Sequence, residues 1–295
     1  MPHSVKGGNP SEIRATGFRL IVCRTCDWLD NIVATKYFRR VSYPTFNLRI
    51  ISSFSMSKII YLVRHAQGGH NIANDFSIRD ATLTPHGKEQ CKALSAAFPF
   101  HNDVDIVMAS PLRRTIQTAI EGFAPALLRP GVQLLLLPQA QEISNKPCDT
   151  GFEKAELETE MKKILGDEAS EGGFDPKRID YSVLEPGWST KSGKFEASLP
   201  AVNARAAELR KWLWQRPEKT IVLVTHGAFL HYFTDDWEPF DPDHGTAYKN
   251  CEFRSFVFTE ESNEKEAHLV QVGRSGPRRM RPPGSHKKDI SGAEN

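Results

Sequence analysis

Four places in the chain set side chains suited to phosphorus chemistry just past a short apolar run. Arg64-His65 follows Ile59-Ile60-Tyr61-Leu62-Val63, and Ser110-Pro111-Leu112-Arg113-Arg114 follows the stretch 104–108. Glu142 comes after 133–137, and Thr225-His226-Gly227 after Thr220-Ile221-Val222-Leu223-Val224. A neutral imidazole is a competent nucleophile toward phosphorus, and guanidinium forks match phosphate oxygens while offsetting charge in the transition state. Arg64 and Arg114 would supply what a divalent cation supplies where such a clamp is absent, so neither metal nor cofactor is expected. The alcohol leaving a phosphate ester must acquire a proton, and Glu142 is the group placed to give it. Burial would raise its pKa and the arginines would lower it, so the sequence leaves its protonation state open.

These groups meet only if the runs that carry them lie side by side. An open α/β sheet does this, gathering its chemistry at the carboxyl ends of its strands. The run 58–63 ends abruptly in charge, as a buried strand does. Thr84 then offers an N-cap with Pro85 at the first helical position, and Cys91, Leu94 and Phe98 follow at helical spacing. Further strands are expected at 104–108, 133–137, 220–224 and 253–258, the last with Phe256 and Phe258 on one alternating face. Helices are expected at 112–123 and where Val202, Ala206, Leu209 and Leu213 recur. The alternation implies an α/β three-layer sandwich, a mostly parallel central sheet with helices on both faces. Within it, 143–198 reads as a long insertion holding one amphipathic helix, with Leu157, Met161 and Leu165 in register, of the kind that shapes a pocket. Phe174, Tyr181 and Trp188 there could line that pocket or anchor the loop.

The stretch Leu62-Val63-Arg64-His65-Ala66, with Asn71 six places after the histidine, resembles the signature of the histidine phosphatase superfamily, phosphoglycerate mutase-like branch. Ser110-Pro111-Leu112-x-Arg114-x-x-Gln117-Thr118 is similar to that family's second motif, and Thr225-His226-Gly227 to its third. The resemblance implies that His65 becomes phosphorylated, that Arg64, Arg114 and His226 hold the phosphoryl group, that Asn71 and Gly227 add substrate contacts, and that Glu142 is the proton donor. It also implies a two-step cycle in which water releases phosphate. The family's usual glycine after the catalytic histidine is Ala66 here, a small-for-small change. The extended motif that true mutases carry around the acid is missing, and Gln141-Glu142-Ile143 with Pro147-Cys148-Asp149-Thr150-Gly151 looks closer to the phosphatase-like members. Hydrolysis of a small phosphorylated metabolite is therefore the expected activity. A phosphoglycerate mutase-type phosphotransferase and a silent phosphate-binding protein of the same fold are the alternatives.

Composition bounds the rest. In 295 residues the formal net charge is +2, which lacks the basic footprint of a nucleic-acid binder. No apolar stretch is membrane-spanning in length. Five cysteines at irregular spacing argue for a reducing compartment, and Cys23-Arg24-Thr25-Cys26 has no second pair at zinc-ligand spacing. Residues 1–56 carry eight Lys/Arg against three acids and read as a poorly ordered basic extension, with translation from Met56 or a transit peptide as alternatives. The location expected is thus cytoplasmic, or mitochondrial if 1–56 is a transit peptide. The catalytic domain is expected over 57–262 and a disordered basic tail over 273–295. His70, His86, His101, His231 and His244 read as structural and Arg113 as exposed. Asp235, Asp236, Asp241 and Asp243 read as a solvated loop, not an ion site.

Overall fold

Side chains of β1 (Ile59–Arg64) leave the strand alternately on opposite faces, so Tyr61 and Val63 join one apolar cluster and Ile60 and Leu62 another. The computed structural model describes residues 58–72, 74–166, 173–237, 240, 241, 245, 246 and 248–273. The basic extension 1–56 with Cys23 and Cys26, the tail beyond 273, His244 and Asp243 lie outside them.

After β1 the chain forms α1 (Pro85–Ala97), β2 (Ile106–Ala109), α2 (Arg113–Gly122), α3 (Ala124–Leu127) and β3 (Leu134–Leu136). Then come α4 (Lys154–Leu165), β4 (Ile179–Asp180), α5 (Leu199–Gln215), β5 (Thr220–Thr225) and α6 (Gly227–Thr234). A small antiparallel pair, β6 (Phe240–Asp241) and β7 (Gly245–Thr246), precedes β8 (Phe253–Phe258) and β9 (Leu269–Gln271). The main sheet runs β4-β3-β2-β5-β1-β8-β9, parallel from β4 to β1 and antiparallel across β8 and β9. Period-two alternation sorts the strands: Val107, Leu134, Val222 and Val224 face the core shared with α1, α2, α3 and α4, whereas Met108, Leu135, Ile221 and Leu223 face the core shared with α5 and α6. This is the three-layer sandwich the alternation implied.

The helix after β1 starts as expected, with the Thr84 hydroxyl accepting from the Gly87 N–H at 2.9 Å and Pro85 in the first turn. Gly87 is there because a Cβ would stand 2.2 Å from the Gln67 carbonyl oxygen. α6 has no amphipathic signature because Phe229, Leu230, His231, Tyr232 and Phe233 are all buried, which leaves no polar face to mark a period. The stretch 143–198 is more than an insertion. Its β4 pairs with β3, and Ile179, Trp188 and Phe195 enter the main core.

Candidate active site

Three neighbouring strands set the floor of the site. Arg64 lies opposite Thr225 in the parallel register of β1 and β5, and the ladder runs one step on, with the His65 N–H donating to the Thr225 carbonyl at 2.9 Å. On the other side of β5 the Ser110 N–H donates to the Val224 carbonyl at 3.0 Å. His65, Ser110 and His226 therefore emerge together at the carboxyl edge. The loop that leaves His65 is tied back from α2: Thr118 Oγ1 accepts from the Ala66 N–H at 3.0 Å, and Gln117 Oε1 from the Leu83 N–H at 2.9 Å. Ala66 itself is buried with Leu83 and Cys91, so its methyl fills a small apolar pocket.

The hydrogen bonds assign the ring protons. His65 Nδ1 lies 2.7 Å from the Ala66 carbonyl, an acceptor, so Nδ1 carries the proton and Nε2 keeps its lone pair. Arg114 Nε donates to that Nε2 at 3.3 Å, and Arg114 Nη2 to His226 Nδ1 at 3.1 Å. The proton of neutral His226 thus sits on Nε2, 2.8 Å from Ser110 Oγ. Both rings are almost wholly buried, at 3% and 0% exposure. Burial first and Arg114 second hold both well below the ordinary histidine range, so both are neutral at pH 7. Their ring centroids are 5.2 Å apart, with the Arg114 guanidinium bonded to each.

Arg114 is fixed from behind. Its Nη1 donates to the Cys148 carbonyl at 2.6 Å and its Nη2 to Asp149 Oδ1 at 2.8 Å, an ion pair inside the protein. Arg64 donates through Nη1 to the Tyr248 carbonyl, while its buried Nε has no partner among the described residues. Asn250 Nδ2 donates to the His65 carbonyl at 2.8 Å and the Cys251 N–H to the Arg64 carbonyl at 3.0 Å, so the segment before β8 clamps the end of β1.

Glu142 faces this floor across a cavity of about 240 Å³ that Arg64, His65, Arg114, Asn71 and Gly227 also line. Its carboxylate sits on the first turn of α6, accepting from the Phe229 N–H at 3.0 Å and the Ala228 N–H at 3.4 Å. Its main chain is held by two basic side chains. Lys191 Nζ donates to the Glu142 carbonyl at 2.9 Å, and Arg205 Nη1 to the Gln139 and Gln141 carbonyls at 2.8 and 2.5 Å. Burial and the nearby Asp149 carboxylate push Glu142 up to about 7, against Arg114 and the backbone N–H groups. Asp149 goes the other way. Burial would raise it, but Arg114, Lys191 and the Ser144 hydroxyl together keep it low and charged.

The structure thus places Arg64, His65, Asn71, Arg114, Glu142 and Gly227 on one cavity, with His226 bonded to Arg114 at its floor. His70 departs from its structural reading, since it lines the cavity with its ring centroid 5.8 Å from that of His65. Arg113 is covered rather than exposed: Nη1 pairs with Glu160 at 2.6 Å, Nε donates to the Asp80 carbonyl at 2.9 Å, and the guanidinium lies over Phe152. Trp188 is fully buried against Gly151 and does not line the cavity, so it anchors its loop, and Phe174 and Tyr181 pack on the same core. Asp236 is buried rather than solvated. Among the described residues no helix is long and apolar enough to cross a membrane. Asp149, Lys191 and Arg205 were not legible as site residues. The one hint was Lys-Pro-Cys-Asp at 146–149, a polar cluster soon after the acid.

Known proteins are similar to this chain. The sequence model of the histidine phosphatase superfamily (branch 1) matches residues 60–270, from β1 to β9. A phosphoglycerate mutase-like protein of Arabidopsis thaliana is 30% identical over 251 residues, covering 70% of this chain and 86% of its own. A probable phosphatase of Schizosaccharomyces pombe is 24% identical over 196 residues, covering 65% of this chain and 84% of its own. Among solved structures, the ecdysone phosphate phosphatase of Bombix mori in complex with tungstate is 13% identical at a TM-score of 0.48, covering 77% of this chain and 96% of that one. With a family match that takes in every strand of the main sheet except Ile59 at its start and Gln271 at its end, the chain belongs to the histidine phosphatase superfamily, branch 1.

Proposed function

We propose that this protein is a phosphatase that hydrolyses a small phosphorylated metabolite by way of a phosphohistidine at His65. The observation that carries the reading is the state of His65: a buried, neutral ring whose Nε2 lone pair opens toward Arg114 in a cavity that also holds a carboxyl group with a pKa of about 7. Entry of a phosphate monoester gives the Arg64 Nε–H its acceptor and draws the Arg114 N–H groups off the two imidazoles onto phosphoryl oxygens. His226 Nδ1 accepts from Arg114 Nη2, so toward a dianion it serves as a donor only once protonated. The anion itself favours that protonation.

In the first step the His65 Nε2 lone pair forms the N–P bond as the P–O ester bond breaks, and the departing oxygen takes its proton from the Glu142 carboxyl. In the second step the Glu142 carboxylate accepts a proton from water, whose oxygen bonds to phosphorus. The P–N bond breaks and its electron pair returns to Nε2, leaving inorganic phosphate and the starting enzyme. Charge on the phosphoryl oxygens is met by Arg64 and Arg114, so the scheme calls on no metal ion.

The test is release of inorganic phosphate from p-nitrophenyl phosphate and from a panel of phosphorylated metabolites, with and without chelator. Turnover that survives chelation and is lost in His65→Ala is expected. Phosphate release that needs an added divalent cation would overturn the metal-free scheme. Phosphoryl transfer between hydroxyls without release would favour the mutase alternative. Binding without either product would favour the silent one.

A further inference from the structure

The floor of the cavity contains a hydrogen-bond donor that the scheme above leaves unused. His70 is 95% buried, lines the cavity and sits beside the nucleophile, with its ring centroid 5.8 Å from that of His65. Its tautomer follows from its neighbour. Asn71 Oδ1 accepts from the Gly68 N–H at 3.0 Å, so the amide is oriented with Nδ2 outward, and Nδ2 donates to His70 Nε2 at 3.0 Å. An Nε2 that accepts leaves the single proton of a neutral ring on Nδ1. That Nδ1 is buried and has no partner among the described residues.

A buried N–H without an acceptor is costly and rare in a folded protein. His101 Nδ1 is also buried and unpartnered, but His101 Nε2 donates to the Ser95 carbonyl at 2.9 Å, so that ring's single proton is on Nε2 and its Nδ1 is a bare lone pair, not an orphan N–H. His70 differs in its company too. The Cβ that Gly68 lacks would stand 2.9 Å from His70 Nδ1 and 3.4 Å from Arg114 Cδ, so the absent side chain keeps open the space between the imidazole and the arginine. The other orphan donor at this cavity is Arg64 Nε.

We infer that His70 is a substrate-contacting residue, a neutral donor whose Nδ1–H binds an oxygen of the phosphoryl group passing to His65, with Asn71 as the positioning residue that fixes its tautomer. This rests on the phosphatase reading and adds a phosphoryl ligand to it. It also gives Asn71 a different task from direct contact with substrate. Burial, with Arg114 and Arg64 adding to it against Asp149, lowers His70 to about 3, which keeps the ring a one-proton donor across the working range.

The near-isosteric pair His70→Leu and His70→Asn separates the donor from the volume it fills, since only Asn retains an N–H. With p-nitrophenyl phosphate as substrate and inorganic phosphate as inhibitor, His70→Leu is expected to lower kcat/KM and weaken phosphate inhibition by about 10- to 100-fold, and His70→Asn to recover most of both. Asn71→Asp keeps the acceptor for Gly68 but forces the His70 proton onto Nε2. It is expected to cost at least about five-fold more in the parent than in the His70→Leu background. Equal kinetics for Leu and Asn at position 70, or an equal cost of Asn71→Asp in both backgrounds, would overturn the inference. Independently of any variant, histidine-labelled NMR should show the His70 Nδ1 proton moving downfield on addition of inorganic phosphate, and movement of His65 signals alone would contradict it. An inactive parent would instead sink the phosphatase reading itself.

Discussion

The two walls of the cavity are built differently. On one, Arg64, His65, Arg114 and His226 come off the ends of β1, β2 and β5 or the helices that follow, and the parallel ladder places them. On the other, Glu142 and Asp149 sit on a segment with little regular structure, pinned by Lys191, Arg205 and Arg114, which arrive from 42 to 63 residues later or 28 to 35 residues earlier in the chain. The first wall presents neutral imidazoles and fixed cations; the second presents two buried carboxyl groups set apart by their partners, Glu142 raised to about 7 by burial and the Asp149 charge, and Asp149 kept low by Arg114, Lys191 and Ser144. A nucleophile and its phosphate clamp need fixed distances, which a sheet edge provides. An acid that must become a base within each cycle needs a tunable environment instead, and side chains anchored from several elements provide that.

If the walls divide the work this way, damage to each should look different. The largest effect is expected on the sheet wall, where His65→Ala should cut kcat by about 10⁵-fold or more on every substrate, read by steady-state phosphate release. On the opposite wall, Glu142→Gln should cost about 10²- to 10⁴-fold on an alkyl phosphate but far less on p-nitrophenyl phosphate, whose leaving group scarcely needs a proton. Equal losses on both substrates would remove Glu142 from the role of acid. Arg205→Met, which frees the 139–142 carbonyls without touching the cavity, should lower kcat/KM on alkyl phosphates by about ten-fold through misplacement of that acid. No change there would mean the segment holds itself.

The subtlest change is a movement along the pH axis. Glu142 must be protonated for the first step, so kcat/KM on an alkyl phosphate should fall as pH rises through about 7. His65 stays neutral far below pH 6.5, so it sets no limb near neutrality. Asp149→Asn removes the negative neighbour that helps raise Glu142, so the alkaline limb should move to lower pH. A limb that stays in place, in a variant that still binds inorganic phosphate, would show that burial alone sets the acid.

The same division explains what could be read from the residues in order. His65 and His226 were legible because each sits next to the strand that places it, with Arg64 or Gly227 adjacent, so a local pattern carries tertiary information. Gln117 and Thr118 belonged to a motif whose purpose appears only in three dimensions, as ties to Leu83 and Ala66. Asp149, Lys191 and Arg205 carried no local sign, since their meaning lies in whose carbonyl or guanidinium they reach. The place of His70 on the cavity was not legible for a related reason: a histidine in a loop looks the same in sequence whether its ring faces packing or a cavity. α6 was missed because complete burial erases the periodicity by which helices are recognised.

The central claim is that phosphorus bonds to His65 Nε2 during turnover. Rapid-quench mixing with a radiolabelled substrate, followed by peptide mapping under alkaline conditions that preserve phosphoramidates, tests it most directly. Transient label on the peptide containing His65, absent in His65→Ala, is the predicted result. Active enzyme that never acquires label there, or acquires it at another residue, would contradict the account.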